Sequence, residues 1–388
     1  MKICLFTETA LPKVGGQEMV VDALARQFVE LGHEPVVLVQ YPRRPHQPAD
    51  DRLPYRVARH RRFVSTHRLI GWYRPVLTRL RRSFPFDVLH CHSVHPCGYL
   101  GSLLSPDDCP ALVITSHGND LAATGQRLHK PSVRARSVQA IRAADACVSI
   151  SRFTSEGFRA LEPAAKIVEI PNGIDLAPFA VQAGRPAGLD PMIEAGRYVL
   201  FLGRLHAYKG VDVLLDAWAQ VAPHTDATLV IAGDGHERLP LVARAAAHGL
   251  GGRVRFAGAV QGATKTWLLQ NALGACVPSR REAFPLVVLE CFAAGQPVIG
   301  SRIAGIDELV TPGRTGWLAA PEAPTELAAA LREMLAQPEA ARAQGRAAKA
   351  LAQNYSWRSI ARRHIELYER VCSPTCNLPE RTATRRAA

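Results

Sequence analysis

The chain has 388 residues, 47% of them hydrophobic, too long for one ordinary core and comfortable for two α/β domains of common size. No run of about 18 apolar residues occurs, which excludes a spanning helix, and the apolar start Met1-Lys-Ile-Cys-Leu-Phe-Thr7 is too short for a secretory signal, so a cytoplasmic location is expected. The net charge of +13 is concentrated between Arg43 and Arg82, where twelve arginines face Asp50 and Asp51, and no RNP, zinc-finger or helix-turn-helix signature accompanies it, which argues against nucleic acid as a partner.

In chain order, short apolar runs predict strands at Ile3 to Thr7, Val36 to Val39, Asp87 to His90, Ala111 to Thr115, Ala146 to Ile150 and Lys166 to Ile170. Helices are expected over Glu18 to Leu31, over Ser132 to Ala143 and in the basic segment. There Trp72, Val76, Leu80 and Phe84 interleave with Arg74, Arg79, Arg81 and Arg82 in a pattern that suits an amphipathic helix at an anionic membrane surface, or an ordinary surface helix with a solvated basic face. From Ala177 to Arg197 periodicity fails among Pro178, Gly184, Pro186, Gly188, Pro191 and Gly196, and the stretch reads as an interdomain linker.

A second alternation predicts strands at Tyr198 to Leu202, Thr228 to Ala232, Val254 to Phe256, Ala275 to Val277 and Pro297 to Ile299. Pro324 to Ala352 is expected to be helical, and a last helix to run to Val371. The expected layout is a Rossmann-like first domain (1–176), the linker (177–197), a second Rossmann-like domain (198–353), a final helix (354–372) and a disordered tail (373–388). Such a doubly wound α/β pair would bind ligands in a cleft between the carboxyl edges of its sheets. The nine cysteines form no regular framework; Cys4, Cys147 and Cys276 read as small core residues, and Cys91-His-Ser-Val-His95-Pro-Cys97 reads as a strand end rather than half of a zinc site.

The segment Pro278-Ser-Arg-Arg-Glu-Ala-Phe-Pro-Leu-Val-Val-Leu-Glu-Cys-Phe-Ala-Ala-Gly-Gln-Pro-Val-Ile-Gly300 sets Glu282 and Glu290 eight residues apart around a helix start. Pro285 suits the first turn, where its missing N–H costs nothing, and the unpaired N–H groups of Leu286 and Val287 suit an anionic or hydroxyl-rich ligand. This Glu-x7-Glu pattern, followed by Ala-Ala-Gly-Gln-Pro-Val-Ile, resembles the GT-B retaining glycosyltransferases of family 4. The resemblance implies two Rossmann-like domains across a cleft, a nucleotide-diphosphate sugar as donor, Glu282 at the donor sugar and Glu290 at the ribose. Where many members have Gly, this chain has Pro285, whose nitrogen has no hydrogen to donate to the sugar.

Other loops carry the same logic. In Lys13-Val-Gly-Gly16, Gly15 and Gly16 leave room for backbone amides to approach a phosphate at a helix start, and the loop is similar to the family's N-terminal glycine loop, with Lys13 on the acceptor side. It is not the Gly-x-Gly-x-x-Gly of a dinucleotide-dependent oxidoreductase. Phe201-Leu-Gly-Arg-Leu-His-Ala-Tyr-Lys-Gly210 places Arg204 and Lys209 just past a strand, as two cations for a departing diphosphate. In Thr115-Ser-His-Gly-Asn-Asp120, His117 resembles the family's histidine near the donor sugar and Asp120 is a candidate on the acceptor side; Val260 is expected to border the nucleobase through its backbone.

With no Asp-x-Asp in the chain, no metal or other cofactor is expected. The function implied is a retaining, metal-independent transfer from a nucleotide sugar to a hydroxyl of a glycan or lipid-linked acceptor, by front-face attack oriented by Glu282 and His117. The alternatives are a sugar phosphorylase, a nucleotide-sugar epimerase or a non-catalytic nucleotide-sugar-binding protein.

Overall fold

A computed structural model of the chain describes residues 1–11, 15–41, 48–61, 74–104, 111–121 and 128–373. Lys13, the stretch around Trp72 and the tail from residue 374 lie outside the described residues. The chain divides into two compact units, Met1–Asn172 with the segment that begins at Trp357, and Gly173–Ser356.

The first unit runs β1 (Lys2–Thr7), α1 (Gly16–Glu30), β2 (Glu34–Tyr41), β3 (Arg56–Arg61), α2 (Arg74–Ser83), β4 (Val88–Cys91), α3 (Tyr99–Ser102), β5 (Leu112–Ser116), α4 (Pro131–Ala143), β6 (Ala146–Ser149), α5 (Arg152–Leu161) and β7 (Ile167–Glu169). Its seven strands are all parallel, in the order β3-β2-β1-β4-β5-β6-β7. Strands covered on both faces must be apolar throughout, and β1, β4, β5 and β6 are indeed continuous buried runs.

The basic segment behaves differently from a free amphipathic helix. Leu77 and Leu80 of α2 are buried in the core, and Val76 and Phe84 pack against it, so the apolar face already has a partner inside the protein. Two of the arginines are also used internally. Arg59 is 4% exposed and holds both oxygens of Asp50, at 2.6 and 2.7 Å, while Arg81 donates to the Phe86 carbonyl. Arg56, Arg79 and Arg82 remain on the surface. The edge strand β3 has no counterpart in the sequence-based expectations because Arg56-Val-Ala-Arg-His-Arg61 carries too many charges to look like a strand; internal pairing of Arg59 is what makes it one.

The second unit continues with β8 (Tyr198–Leu202), α6 (Val211–Val221), β9 (Thr228–Ala232), α7 (Arg238–Ala247), β10 (Val254–Gly258), α8 (Gly262–Asn271), β11 (Gly274–Val277), α9 (Leu286–Ala293), β12 (Val298–Ser301), β13 (Gly316–Ala319), α10 (Pro324–Ala336) and α11 (Pro338–Ala352). Six parallel strands stand in the order β10-β9-β8-β11-β12-β13. The expected helix over Pro324 to Ala352 is two helices, because Pro338 has no N–H to continue the first. The stretch 177–197 lies in this unit, with Phe179 and Ile193 buried and the Arg185 guanidinium 5.1 Å from the Trp267 ring of α8.

The last helix, α12 (Trp357–Cys372), belongs to the first unit, where Ile360, Ile365 and Tyr368 join Val20, Leu24 and Phe28 of α1 in one buried cluster.

Candidate functional site

In an open parallel sheet, ligands bind beyond the carboxyl ends of the strands at the point where strand order reverses. That point is β1/β4 in the first unit and β8/β11 in the second, and the singled-out loops leave from these strands and their neighbours.

In the second unit the loop after β8 carries Arg204 and Lys209, and the loop after β11 carries Glu282. Lys209 Nζ donates to Glu282 Oε1 at 2.5 Å, and Ser279 Oγ donates to the same oxygen at 2.9 Å. The two loops touch closely enough that a Cβ on Gly210 would meet the Pro278 carbonyl oxygen at 2.0 Å, and Gly210 itself is left-handed at φ 67°, so only glycine fits. Gly233 is as confined: its Cβ would lie 1.8 Å from the Gly203 carbonyl oxygen. Arg204 is exposed and donates to the Tyr208 hydroxyl at 3.1 Å.

Pro285 caps α9 from an extended backbone, one position earlier than a first helical turn would have it, so the helix begins with Leu286 and Val287. Glu290 stands in the second turn of α9, and Lys265 of α8 donates to its Oε1 at 2.6 Å. Each glutamate is therefore held by a lysine from a different element. A cavity of about 410 Å³ lined by Leu189, Ile193, Arg255, Phe256, Val260 and Thr264 opens beside the α8 start. Lys265 was missed by the sequence reading because nothing in Gln261-Gly-Ala-Thr-Lys-Thr-Trp267 marks it; only the packing of α8 on α9 brings it to Glu290.

In the first unit Gly15 caps α1 and Gly16 begins it. A Cβ at Gly16 would meet open space, whereas at Gly15 it would come 2.5 Å from Oε2 of Glu18, a carboxylate only 5% exposed that stands over the loop. Gln17 ties this loop to its neighbours, donating to Thr7 Oγ1 and to the His92 carbonyl, both at 2.8 Å. His117 is half-buried, with Nε2 3.1 Å from His92 Nδ1. The His92 ring stacks on His117 and lies tilted against His90, whose two nitrogens meet Tyr368 Oη and Thr115 Oγ1, both at 2.6 Å, and His364 of α12 packs on His90 with ring centroids 5.3 Å apart. Burial, with the neighbouring imidazoles adding to it, holds His90 and His92 well below the usual histidine range. Burial also lowers His364 to about 3, and His117 to about 4 against an opposing pull from Glu18. His117 is thus a neutral hydrogen-bonding group at neutral pH. Asp120 accepts from Ser116 Oγ at 2.5 Å and from the Val94 N–H at 2.6 Å, joining the exits of β5 and β4.

The Cys91 thiol donates to the Cys97 carbonyl at 3.3 Å, and among the described residues no group of three or more His, Cys, Asp or Glu side chains is placed to hold a metal ion. Cys4, Cys147 and Cys276 are core residues.

Comparison with known proteins matches the two units separately. The family described as Glycosyltransferase Family 4 matches residues 14–178 and that described as Glycosyl transferases group 1 matches residues 192–351. Glycogen synthase of Mycobacterium tuberculosis is 31% identical over 294 residues, covering 74% of this chain and 69% of that one. The chain belongs to the group 1, family 4 glycosyltransferases.

A further relative of this glycosyltransferase, the phosphatidyl-myo-inositol mannosyltransferase of Mycolicibacterium smegmatis, is 29% identical over 386 residues, covering 96% of this chain and 94% of its own. Among solved structures, Anabaena Alr3699/HepE in complex with UDP superposes with a TM-score of 0.78 at 20% identity, covering 95% of this chain and 100% of that one. Sucrose-phosphate synthase from Thermosynechococcus elongatus gives 0.76 at 23%, covering 95% and 98%. The fold is accordingly GT-B, two Rossmann-like domains of seven and six parallel strands. Among the described residues no helix is long and apolar enough to cross a membrane.

Proposed function

We propose that this glycosyltransferase is retaining and metal-independent, and that it moves a sugar from a nucleoside-diphosphate donor to a hydroxyl of a glycan or lipid-linked acceptor. The observation that carries this is the meeting of Lys209 and Glu282, from separate loops, on one short hydrogen bond at the strand-order reversal of the second sheet. Cleaving the glycosidic C–O bond leaves charge on the diphosphate, so Lys209 and Arg204 stabilise the departing group more than the bound donor. An arriving diphosphate gives Lys209 a second anionic partner and frees Glu282 Oε1 for a sugar hydroxyl.

Glu290, with Lys265 beside it, takes the ribose diol, the amides of Leu286 and Val287 face the phosphates, and the backbone near Val260 borders the base. Glu282 orients the sugar, His117 is assigned as an uncharged hydrogen-bonding group of the first unit, and the leaving phosphate oxygen takes the acceptor proton on the face that the diphosphate leaves. Lys13 and Asp120 are assigned to the acceptor side. The UDP-bound and UDP-glucose-bound neighbours and the lipid-modifying mannosyltransferase relative support this choice of donor and acceptor classes.

Glu282→Gln should lower turnover at least about tenfold, a loss of roughly 1.4 kcal/mol in transition-state stabilisation, with the melting temperature unchanged; unaltered turnover would remove Glu282 from the mechanism. NMR of the product should show the donor's anomeric configuration, and EDTA should leave the rate as it is. Arg56, Arg79 and Arg82 make an electrostatic contact with an anionic membrane the only surface mode proposed, on the cytoplasmic side, since the apolar face of α2 is occupied. Co-sedimentation with anionic vesicles should be salt-sensitive, and no binding would dismiss it.

A further inference from the structure

We infer that Arg280 is a positioning residue that keeps Lys209 and Glu282 in register, and that it works as a guanidinium fork that lysine cannot replace. This rests on the proposed role of the Lys209–Glu282 pair. Arg280 lies two residues before Glu282, on the loop between β11 and α9, and its side chain reaches three other segments. Nη1 and Nη2 donate to the two oxygens of Asp212 at 2.9 and 2.7 Å, Nε donates to Glu322 Oε1 at 2.9 Å, and Nη1 also donates to the Ala207 carbonyl at 2.5 Å. The backbone N–H of Arg280 adds a bond to the Tyr208 carbonyl at 2.8 Å.

One residue thereby ties its own loop to the first turn of α6, to the turn that leads into Lys209 and to the connection between β13 and α10. Glu322, at the far side of the clamp, has φ 58°, the single positive value for a non-glycine among the described residues, and side chains that carry a Cβ adopt it only where the surroundings hold them. Asp212 stays ionised: burial pushes its carboxyl up, but the hydrogen bonds and charge of Arg280 outweigh this and leave it below the usual range.

The pairing of β8 with β11 and the Gly210–Pro278 approach hold the bases of the two loops, but at the side chains the pair has few other ties. Glu282 Oε1 is held by Ser279, a neighbour on the same loop, and by Lys209, whose own loop has no covalent tie to it for over sixty residues. A displacement of one loop against the other would separate the cation for the diphosphate from the carboxylate for the sugar, and misplacement by an ångström can cost about a hundredfold in rate. Four hydrogen bonds drawn from a planar group with five N–H donors fix that displacement in two directions; an ammonium is a point charge that satisfies Asp212 and leaves the Ala207 carbonyl and Glu322 unserved.

The test uses the full chain and whichever of UDP-glucose, GDP-mannose and ADP-glucose raises its melting temperature most, with release of nucleoside diphosphate as the readout. Arg280→Lys should lower kcat about tenfold or more while KM changes less than about threefold and the melting temperature holds. Arg280→Ala should lose more, and low millimolar guanidinium should return part of its kcat while leaving the parent unchanged. A structural role alone would lower the melting temperature without that rescue. Arg280→Lys turning over within about twofold of the parent, or Arg280→Ala showing no rescue, overturns the inference. Glu282→Gln separates the two levels: if it is impaired while Arg280→Lys is not, only the role of Arg280 fails, and if it keeps the parental rate, the underlying site assignment fails as well.

Discussion

At the carboxyl edge of the first sheet three histidines are buried and neutral, whereas at that of the second the lysines and glutamates are charged, paired and closer to the surface. His90, His92 and His364 are at most 4% exposed and lie in contact, whereas the lysine–glutamate pairs of the second unit keep between 10 and 33% of their side chains in solvent. A neutral imidazole costs far less to bury than a charged one, and least at His90, where both nitrogens are hydrogen-bonded; charging it there costs its full desolvation. An ion pair at a rim keeps its charge over a wide pH range and can exchange partners with a ligand. The same layered scaffold thus offers one edge whose polarity is rigid and pH-limited and another whose charges are available.

The largest effect expected from this contrast is in acid. The unfolded chain binds protons on histidine below about pH 6.5, while His90, His92 and His364 stay unprotonated in the folded state, so stability is complete above that pH and falls as the pH drops below it. With three such groups, moving from pH 7.5 to 5.5 should cost up to about 4 kcal/mol. Hydrogen exchange followed by mass spectrometry should show the loss in the first unit; equal loss in both would break the comparison. Next in size, Gly233→Ala should destabilise the second unit by about 3 kcal/mol, since its Cβ must displace the Gly203 backbone, and a denaturant midpoint that does not move would deny the close approach.

His364→Leu sharpens the acid argument. Removing one of the three imidazoles should flatten the pH dependence by about 1.4 kcal/mol per pH unit below 6.5, readable as a shallower fall of melting temperature between pH 6.5 and 5. The smallest effect belongs to the charged edge: a double-mutant cycle on Lys265 and Glu290 should give a coupling of about 1 kcal/mol that shrinks in 0.5 M salt, and a coupling indifferent to salt would mean that the pair is not solvent-screened.

Much of this was legible in the sequence. The five expected strands of the second unit overlap β8 to β12, because strands buried on both faces must be continuous apolar runs between turn signals. β3 was hidden by its arginines, and β13 by the glycine and tryptophan of a four-residue edge strand. Among the functional candidates, Gly15, Gly16, Arg204, Lys209 and His117 stood out at strand exits beside glycines, and Glu282 by its spacing to Glu290. Lys265, Arg280, Asp212 and His92 did not, since their significance lies in a partner far along the chain.

The sequence alone determined the two doubly wound halves, the candidate loops at the strand exits and the family, because these follow from periodicity, glycine placement and local motif. The tertiary structure decided which charges face each other, that α2 spends its apolar face on the core, and that His90, His92 and His364 from two separated segments gather in one buried group with His117 beside it. Those outcomes depend on strand order and on helix packing across tens to hundreds of residues, which no local pattern encodes.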